Sequence, residues 1–433
     1  MQKLRCCHHL WALAFVLVCC ARVREARTCP SAKCWCRRHE IQCENASALG
    51  RIPKFSPQRQ APVYRTIDLT LLNISRVQNE AFANLKVRNI DLAKNPLGDN
   101  IAKNAFQGLE KILRRLDMSE CSLTRIPSPA IRNLSTMKYL ILDSNQITEL
   151  RKNDFKRSLR RLDELHLSNN NITVLRKAVF SSLRRLSALY LSGNKIMTLT
   201  RASFRGLKNL QRLYLTGNSL TELRRSIFRE MPNLLRLDVA ANRINKLTTG
   251  VFQGLERLIW LDLSSNLIHL MERRALLSLV QLKYLNLRDN PLAVIAEGTF
   301  APTRALSFLQ LEVGGVINLS RRTFLGADKL SGLSLGRLNW TAVPDKLLLP
   351  LDALESLIIK DMGNQLAHFP IGVFSKKAVS KNTLEVVVHR TKNTRCDLNW
   401  VENLVKYNIE VKFLPATTSC NNRLRKVKAR SGG

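Results

Sequence analysis

Residues 189–218 read LYLSGNKIMTLTRASFRGLKNLQRLYLTGN, and the first six letters return almost unchanged as the last six, 24 residues later. An enzyme site has no use for such an echo, because catalytic groups converge from different places and are written once. A chain that repeats one physical unit needs it. The question is how far the unit extends and what each of its positions does.

Aligned along the chain, the echo becomes LxxLxLxxNxI/LxxL, followed by Phe five residues on and Leu three further. The asparagine falls at Asn145, Asn170, Asn194, Asn218, Asn242, Asn266 and Asn290, with one step of 25 residues and then steps of 24. Asn95 and Cys121 extend the frame upstream, Leu72 precedes them, and Gly314, Leu338 and Met362 follow. A phenylalanine column runs through Phe82, Phe106, Phe155, Phe180, Phe204, Phe228, Phe252, Phe300 and Phe324. The alternation in LxL is that of a short strand with one buried face. Successive turns set these strands side by side, in a parallel sheet. Asparagine at the bend away from the strand has donors and an acceptor for backbone groups that would otherwise be orphaned between turns. The phenylalanines fill the core toward the outer side. Cys121 offers only a weak donor at the bend, and Leu72, Gly314, Leu338 and Met362 offer none, so the ladder is expected to loosen at both ends.

This frame resembles the leucine-rich repeat family from about Val63 to His389, roughly thirteen repeats. The resemblance implies an α/β-type solenoid, a horseshoe with a parallel concave sheet and disulfide caps at both ends. At about 4.8 Å per strand the sheet is roughly 60 Å long. A unit of this kind cannot bury its apolar face alone, so neighbours share stability and the two ends need covers. The run Cys29, Cys34, Cys36, Cys43 resembles the family's cysteine-rich N-terminal cap, which implies bridges Cys29–Cys36 and Cys34–Cys43. A zinc site is disfavoured, since the spacing lacks two CxxC knuckles. RCDLNW at Arg395–Trp400 with Cys420 resembles the C-terminal cap, although this chain has two cysteines there where the family has four. A single Cys396–Cys420 bridge over Trp400 is expected, and Cys121 is then the odd cysteine, expected as a buried, unpaired thiol, with an intermolecular link as the alternative.

The beginning of the chain reads differently. Lys3 and Arg5 precede an apolar run, Leu10–Cys20, too short to span a bilayer and followed by small Ala21. That is the form of a secretory signal peptide. The expected organisation is a signal peptide over 1–21, the N-terminal cap over 28–62, repeats over 63–390, the C-terminal cap over 391–422 and a basic tail over 423–433. Sequons at Asn45, Asn73, Asn133, Asn171, Asn318 and Asn339 agree with passage through the secretory route. The expected localisation is secreted and extracellular, with no membrane span.

No catalytic constellation competes with this reading. HExxH and phosphate-cradling glycine loops are absent from the sequence, and the seven histidines are scattered. His166 lies in a strand, and no carboxylate partner is evident for it from the pattern. No cofactor or metal is implied, and the expected protein is not an enzyme. The candidate surface is the outward face of the sheet. The residue between the two leucines of LxL forms one column: Asp68, Asp91, Asp117, Ile141, His166, Tyr190, Tyr214, Asp238, Asp262, Asn286 and Gln310. Two residues earlier a second column includes Tyr139, Glu164, Arg212, Arg236, Trp260, Tyr284 and Phe308. Aspartate in LDL is a common filler in the family, so the aromatics Tyr139, Tyr190, Tyr214, Trp260, Tyr284 and Phe308 are the sharper candidates for touching a protein ligand or receptor.

Charge points to a second partner. Net charge is +36, and removing residues 1–21 leaves +34 because only Lys3 and Arg5 go with them. Arg151/Lys152, Arg176/Lys177, Arg224/Arg225 and Arg273/Arg274 recur after the strands, Arg160/Arg161 and Arg184/Arg185 before them, and Arg425, Lys426 and Lys428 lie in the tail. Stacked turns would line these cations into ridges suited to a long polyanion. In the extracellular space that means a sulfated glycosaminoglycan; the compartment argues against nucleic acid. A solvated basic surface kept for solubility is the bland alternative. The sequence thus describes a secreted, non-enzymatic, heparin-binding glycoprotein of the extracellular matrix or cell surface. A soluble receptor or pattern-recognition ectodomain, and a non-catalytic accessory subunit of a secreted enzyme, are the alternatives.

Overall fold

In each LxL unit the two leucines point inward and the residue between them points out, and hydrogen bonding to the turns before and after turns each unit into one rung of a sheet. The computed structural model describes residues 29, 31, 34–37, 39–43, 51–57, 62–155, 157–312, 319–336, 343, 345–360, 373–380, 383–389, 404–405 and 409–414. It holds a 17-stranded sheet. Cys34–Arg37 and Glu40–Cys43 form an antiparallel hairpin, and Glu40–Cys43 then pairs in parallel with Val63–Asp68. From there every strand pairs in parallel with its successor, out to Glu410–Leu414. The register is one repeat per rung: Leu189 opposes Leu213, which opposes Leu237, which opposes Leu261. A short second pairing, Lys246–Leu247 with Leu270–Met271, joins neighbouring turns beyond the bend.

The bend is where asparagine acts. Asn218 Nδ2 donates to the carbonyls of Leu191 (2.9 Å) and Leu215 (3.0 Å), while Oδ1 accepts from the Ile196 N–H at 3.0 Å. Asn194, Asn242, Asn266 and Asn290 repeat the arrangement. Each amide thus joins its own turn to the previous one in a dry environment, where an unpaired peptide group costs most. At Cys121 the thiol keeps part of the role, donating to the Leu92 carbonyl at 3.2 Å. It is buried and unpaired, and burial pushes it up to about 11, which leaves it protonated and inert at neutral pH. The residue before the bend sits at positive φ, where Gly193 (66°) and Gly217 (66°) are unstrained. A Cβ at Gly193 would also meet the exposed Asn169 side chain, which would have to shift to admit it.

The phenylalanine column is buried and partly stacked, with centroids 5.6 Å apart for Phe82–Phe106 and 5.9 Å for Phe155–Phe180. The N-terminal hairpin is closed by both bridges the resemblance implied, Cys29–Cys36 and Cys34–Cys43. The signal segment 1–21, the Cys396–Cys420 bridge, the tail cations Arg425, Lys426 and Lys428, the sequons at Asn45, Asn318 and Asn339, and the frame positions Gly314, Leu338 and Met362 lie outside the described residues.

After Asn290 a different tie appears. Glu312, with a side chain only 6% exposed, takes Lys360 Nζ at 2.7 Å, Arg288 Nε at 3.3 Å and the Ser334 hydroxyl at 2.6 Å. One carboxylate thereby fastens rungs that the asparagine ladder no longer reaches. Burial raises its pKa, but bonds from Lys360 and Ser334 and the charges of Lys360 and Arg288 outweigh this, holding it below the ordinary range. A depressed carboxylate adds stability above its unfolded pKa of about 4.3 and loses it as pH falls through the folded value. Glu312→Gln is therefore expected to cost about 1–2 kcal/mol at pH 7. Urea midpoints of variant and parent should draw together as pH falls from about 4.3 through the depressed folded value; a gap independent of pH would refute the electrostatic origin.

Candidate binding surface

The outward face of the central rungs carries a continuous stack of six side chains. His166 lies 4.0 Å from Tyr190 between ring centroids, and Tyr190 lies 4.8 Å from Tyr214, with planes within 18° and 7°. The Arg236 guanidinium continues the stack, 5.3 Å from the Tyr214 ring and 3.8 Å from that of Trp260. Trp260 stacks on Tyr284 at 5.2 Å and 3°. The cause is the register: residues one repeat apart stand directly opposite across parallel strands, so flat side chains meet face to face. Arg236 bridges the two columns, and its Nε is buried without a hydrogen bond, which a guanidinium held between two ring faces tolerates through cation–π attraction.

The orientation decides what this surface can recognise. Stacked faces are occupied by their neighbours, so solvent meets ring edges and hydroxyl groups. Tyr284 OH donates to Gln310 Oε1 at 3.1 Å. Burial raises the pKa of Tyr190 and Tyr284, so both remain neutral phenols. Phe308 stands outside the stack, 53% exposed. Its ring is seated over Gly332, where a Cβ would come within 2.5 Å of Phe308 Cδ1. Tyr139 is half-buried and joins no ring stack among the described residues.

His166 differs from the sequence expectation. Its Nδ1 faces Asp143 at 3.4 Å and its Nε2 faces Glu164 at 3.2 Å, and Glu164 also takes Arg212 at 2.9 Å. The expectation missed both carboxylates: Asp143 lies two residues past the LxL centre, in a third column, and Glu164 shares a strand with the histidine. No serine or cysteine is bonded to His166 among the described residues, so the trio orients and charges the surface and supplies no nucleophile. Among the described residues no group of three or more His, Cys, Asp or Glu could hold a metal ion. No helix there is long and apolar enough to cross a membrane. Asp238, beside the stack, is raised by burial, partly offset by bonds from Thr216 and the Ala240 N–H.

The predicted flank cations Arg151, Lys152, Arg176, Lys177, Arg184, Arg185, Arg224, Arg225 and Arg273 are all exposed. Several are already paired. Arg151 and Arg176 share Glu149 at 2.6 and 3.3 Å, and Arg224 holds Glu222 at 2.6 Å. Asn73 and Asn133 are exposed and Asn171 is half-buried.

The leucine-rich repeat model matches residues 160–220, 209–268, 232–292 and 260–313, and the BspA-type leucine-rich repeat region of six copies matches 65–187. Together they run without a gap from 65 to 313, more than half of the 433 residues. The chain belongs to the leucine-rich repeat family. Leucine-rich repeat-containing protein 7 of Rattus norvegicus and its Mus musculus counterpart are each 33% identical over 85 residues, 20% of this chain. The match spans only 6% of those relatives' length. TLR13, solved as a complex with ssRNA13, superposes with a TM-score of 0.60 at 21% identity, covering 81% of this chain and 54% of that one. An internalin from Listeria monocytogenes gives 0.56 at 18%, covering 76% and 87%. A leucine-rich repeat protein of Leptospira interrogans gives 0.51 at 21%, covering 84% and 94%. At such identities the likeness concerns the fold. Leucine-rich repeat solenoids are in general protein-binding, non-catalytic scaffolds, and this one has their architecture.

Proposed function

We propose that the protein is a secreted, non-enzymatic binding protein of the extracellular matrix or cell surface. It takes a protein ligand on its concave face and a sulfated glycosaminoglycan on its basic flanks. The stack from His166 to Tyr284 carries the first part. Ring edges and phenol hydroxyls suit the peptide groups and mixed side chains of a protein surface. They leave no ring face free between neighbours for a nucleobase or sugar to stack upon, which favours a protein over a single-stranded RNA of the kind bound to TLR13. The disulfides of the N-terminal hairpin support an oxidising compartment. The net charge of +36 supports the polyanion.

The test is affinity capture of extracellular proteins on the immobilised chain, repeated with Tyr190→Ala and Trp260→Ala. Each substitution at a hot spot is expected to cost about 2 kcal/mol, roughly thirtyfold in Kd. A partner equally retained by both variants would move the ligand off this face.

A further inference from the structure

The polyanion part of this reading leaves open where on the surface the chain is held. We infer that a sulfated polysaccharide docks along the leading edge of the sheet, where the chain enters each strand, in a recess bounded by Lys138, Arg161, Arg185 and Arg257. The inference rests on the glycosaminoglycan reading and moves its centre away from the flank that follows the strands. The recess has a volume of about 450 Å³, and its lining carries those four cations against one carboxylate, Asp163.

Its floor is rigid. The Lys138 carbonyl accepts the N–H groups of both Asp163 and Glu164, the Asp163 carbonyl those of Ser187 and Ala188, and the Ser187 and Gln211 carbonyls repeat the pattern on the next two turns. Side chains on this edge therefore stand in register, one per turn. Arg161 and Arg185 occupy successive turns about 4.8 Å apart, and Arg257 stands three turns further, about 14 Å along. Asn209 and Asn233 fill the positions between, anchored through Nδ2 to the Arg184 and Lys208 carbonyls, and Asn233 Oδ1 fixes Arg257 at 2.7 Å.

Two observations separate this edge from the other basic flank. Lys138, Arg161, Arg185 and Arg257 are exposed and pair with no carboxylate among the described residues, whereas on the other flank Lys152, Lys177, Arg225 and Arg273 are likewise unpaired but Arg151, Arg176 and Arg224 are partly neutralised by Glu149 and Glu222. A cation whose charge no internal carboxylate offsets gives its full attraction to an incoming anion. The lining also contains no aromatic side chain, so a nucleic acid would gain its phosphates here and no base platform. A sulfated polysaccharide asks for cations and hydrogen-bonding groups only, and the Gln211 amide supplies the latter.

The test compares the full secreted chain with two triple variants, Arg161→Gln/Arg185→Gln/Arg257→Gln on the leading edge and Arg151→Gln/Arg176→Gln/Arg224→Gln on the other flank. Heparan sulfate affinity is measured over a salt series, with elution from heparin and from a sulfonate resin alongside. The leading-edge variant is expected to lose at least tenfold in affinity at fixed salt and about two to three units of salt slope. The other variant should lose less than threefold. Equal or greater loss from the other flank overturns the inference while the glycosaminoglycan reading stands. If the parent elutes alike from both resins, the glycosaminoglycan reading itself fails, and the inference with it. A single-stranded oligonucleotide that displaces heparan sulfate at equal or lower concentration would assign the edge to nucleic acid and also overturn it.

Discussion

Asn218→Ala is expected to lower folding stability by about 2–4 kcal/mol, because one buried N–H loses its acceptor and two buried carbonyls each lose one of two donors. The Leu191 and Leu215 carbonyls keep only the amides of Asn194 and Asn242, and the buried Ile196 N–H loses its acceptor outright. The exposed Asn209, whose amide reaches only the Arg184 carbonyl, should change stability by less than about 0.5 kcal/mol when replaced by alanine. Urea unfolding followed by circular dichroism reads both. Asn218 sits in mid-array, so a weakened joint there also separates two blocks of turns, and the transition should broaden with a smaller m-value. A cost below about 1 kcal/mol for Asn218→Ala would mean that neighbouring turns repair the joint, and the ladder would not be what links them.

The same column shows why so much of the architecture was legible. A near-constant 24-residue step turns each sequence position into one place on the rung, so Leu213, Asn218 and Phe228 could be assigned to strand, bend and outer core from the pattern alone. What escaped are contacts that cross columns. Arg236 lies in the column of Trp260, and its approach to Tyr214 in the neighbouring column depends on side-chain reach across the sheet. Asp143 belongs to a third column that the LxL frame does not mark, so the partner of His166 was invisible. Charge pairing escaped for a similar reason. The basic doublets looked equivalent as letters, yet Arg176 reaches back 27 residues to Glu149, and Arg201 forward 29 residues to Glu230. Lys138 and Arg257 belong to no basic doublet, so the doublet pattern does not mark them. The signal that marks Arg257 was present: it lies four 24-residue steps beyond Arg161, in the column of Arg185.

Phe228 and Phe308 make the clearest contrast between a residue that holds the solenoid together and one that faces a partner. Phe228 is fully buried and stacks on Phe252 with centroids 6.4 Å apart, while Phe308 is 53% exposed over Gly332. Phe228→Ala removes a whole ring from a packed layer between turns, and the spacing of the rungs is set by backbone bonds, so the cavity cannot close. The expected loss is about 3–5 kcal/mol. Phe308→Ala deletes a ring already largely in water, and stability should move by less than about 1 kcal/mol. Binding should respond in the opposite order. Phe308→Ala should weaken retention of a concave-face protein partner, and Gly332→Ala should do the same by unseating the ring without deleting it. Phe228→Ala, assayed well below its unfolding midpoint, should bind normally, since its side chain lies on the far side of the core from the sheet. If Phe308→Ala instead destabilised the fold by more than about 2 kcal/mol while leaving partner binding intact, the ring would belong to the core. The recognition surface would then end at Tyr284.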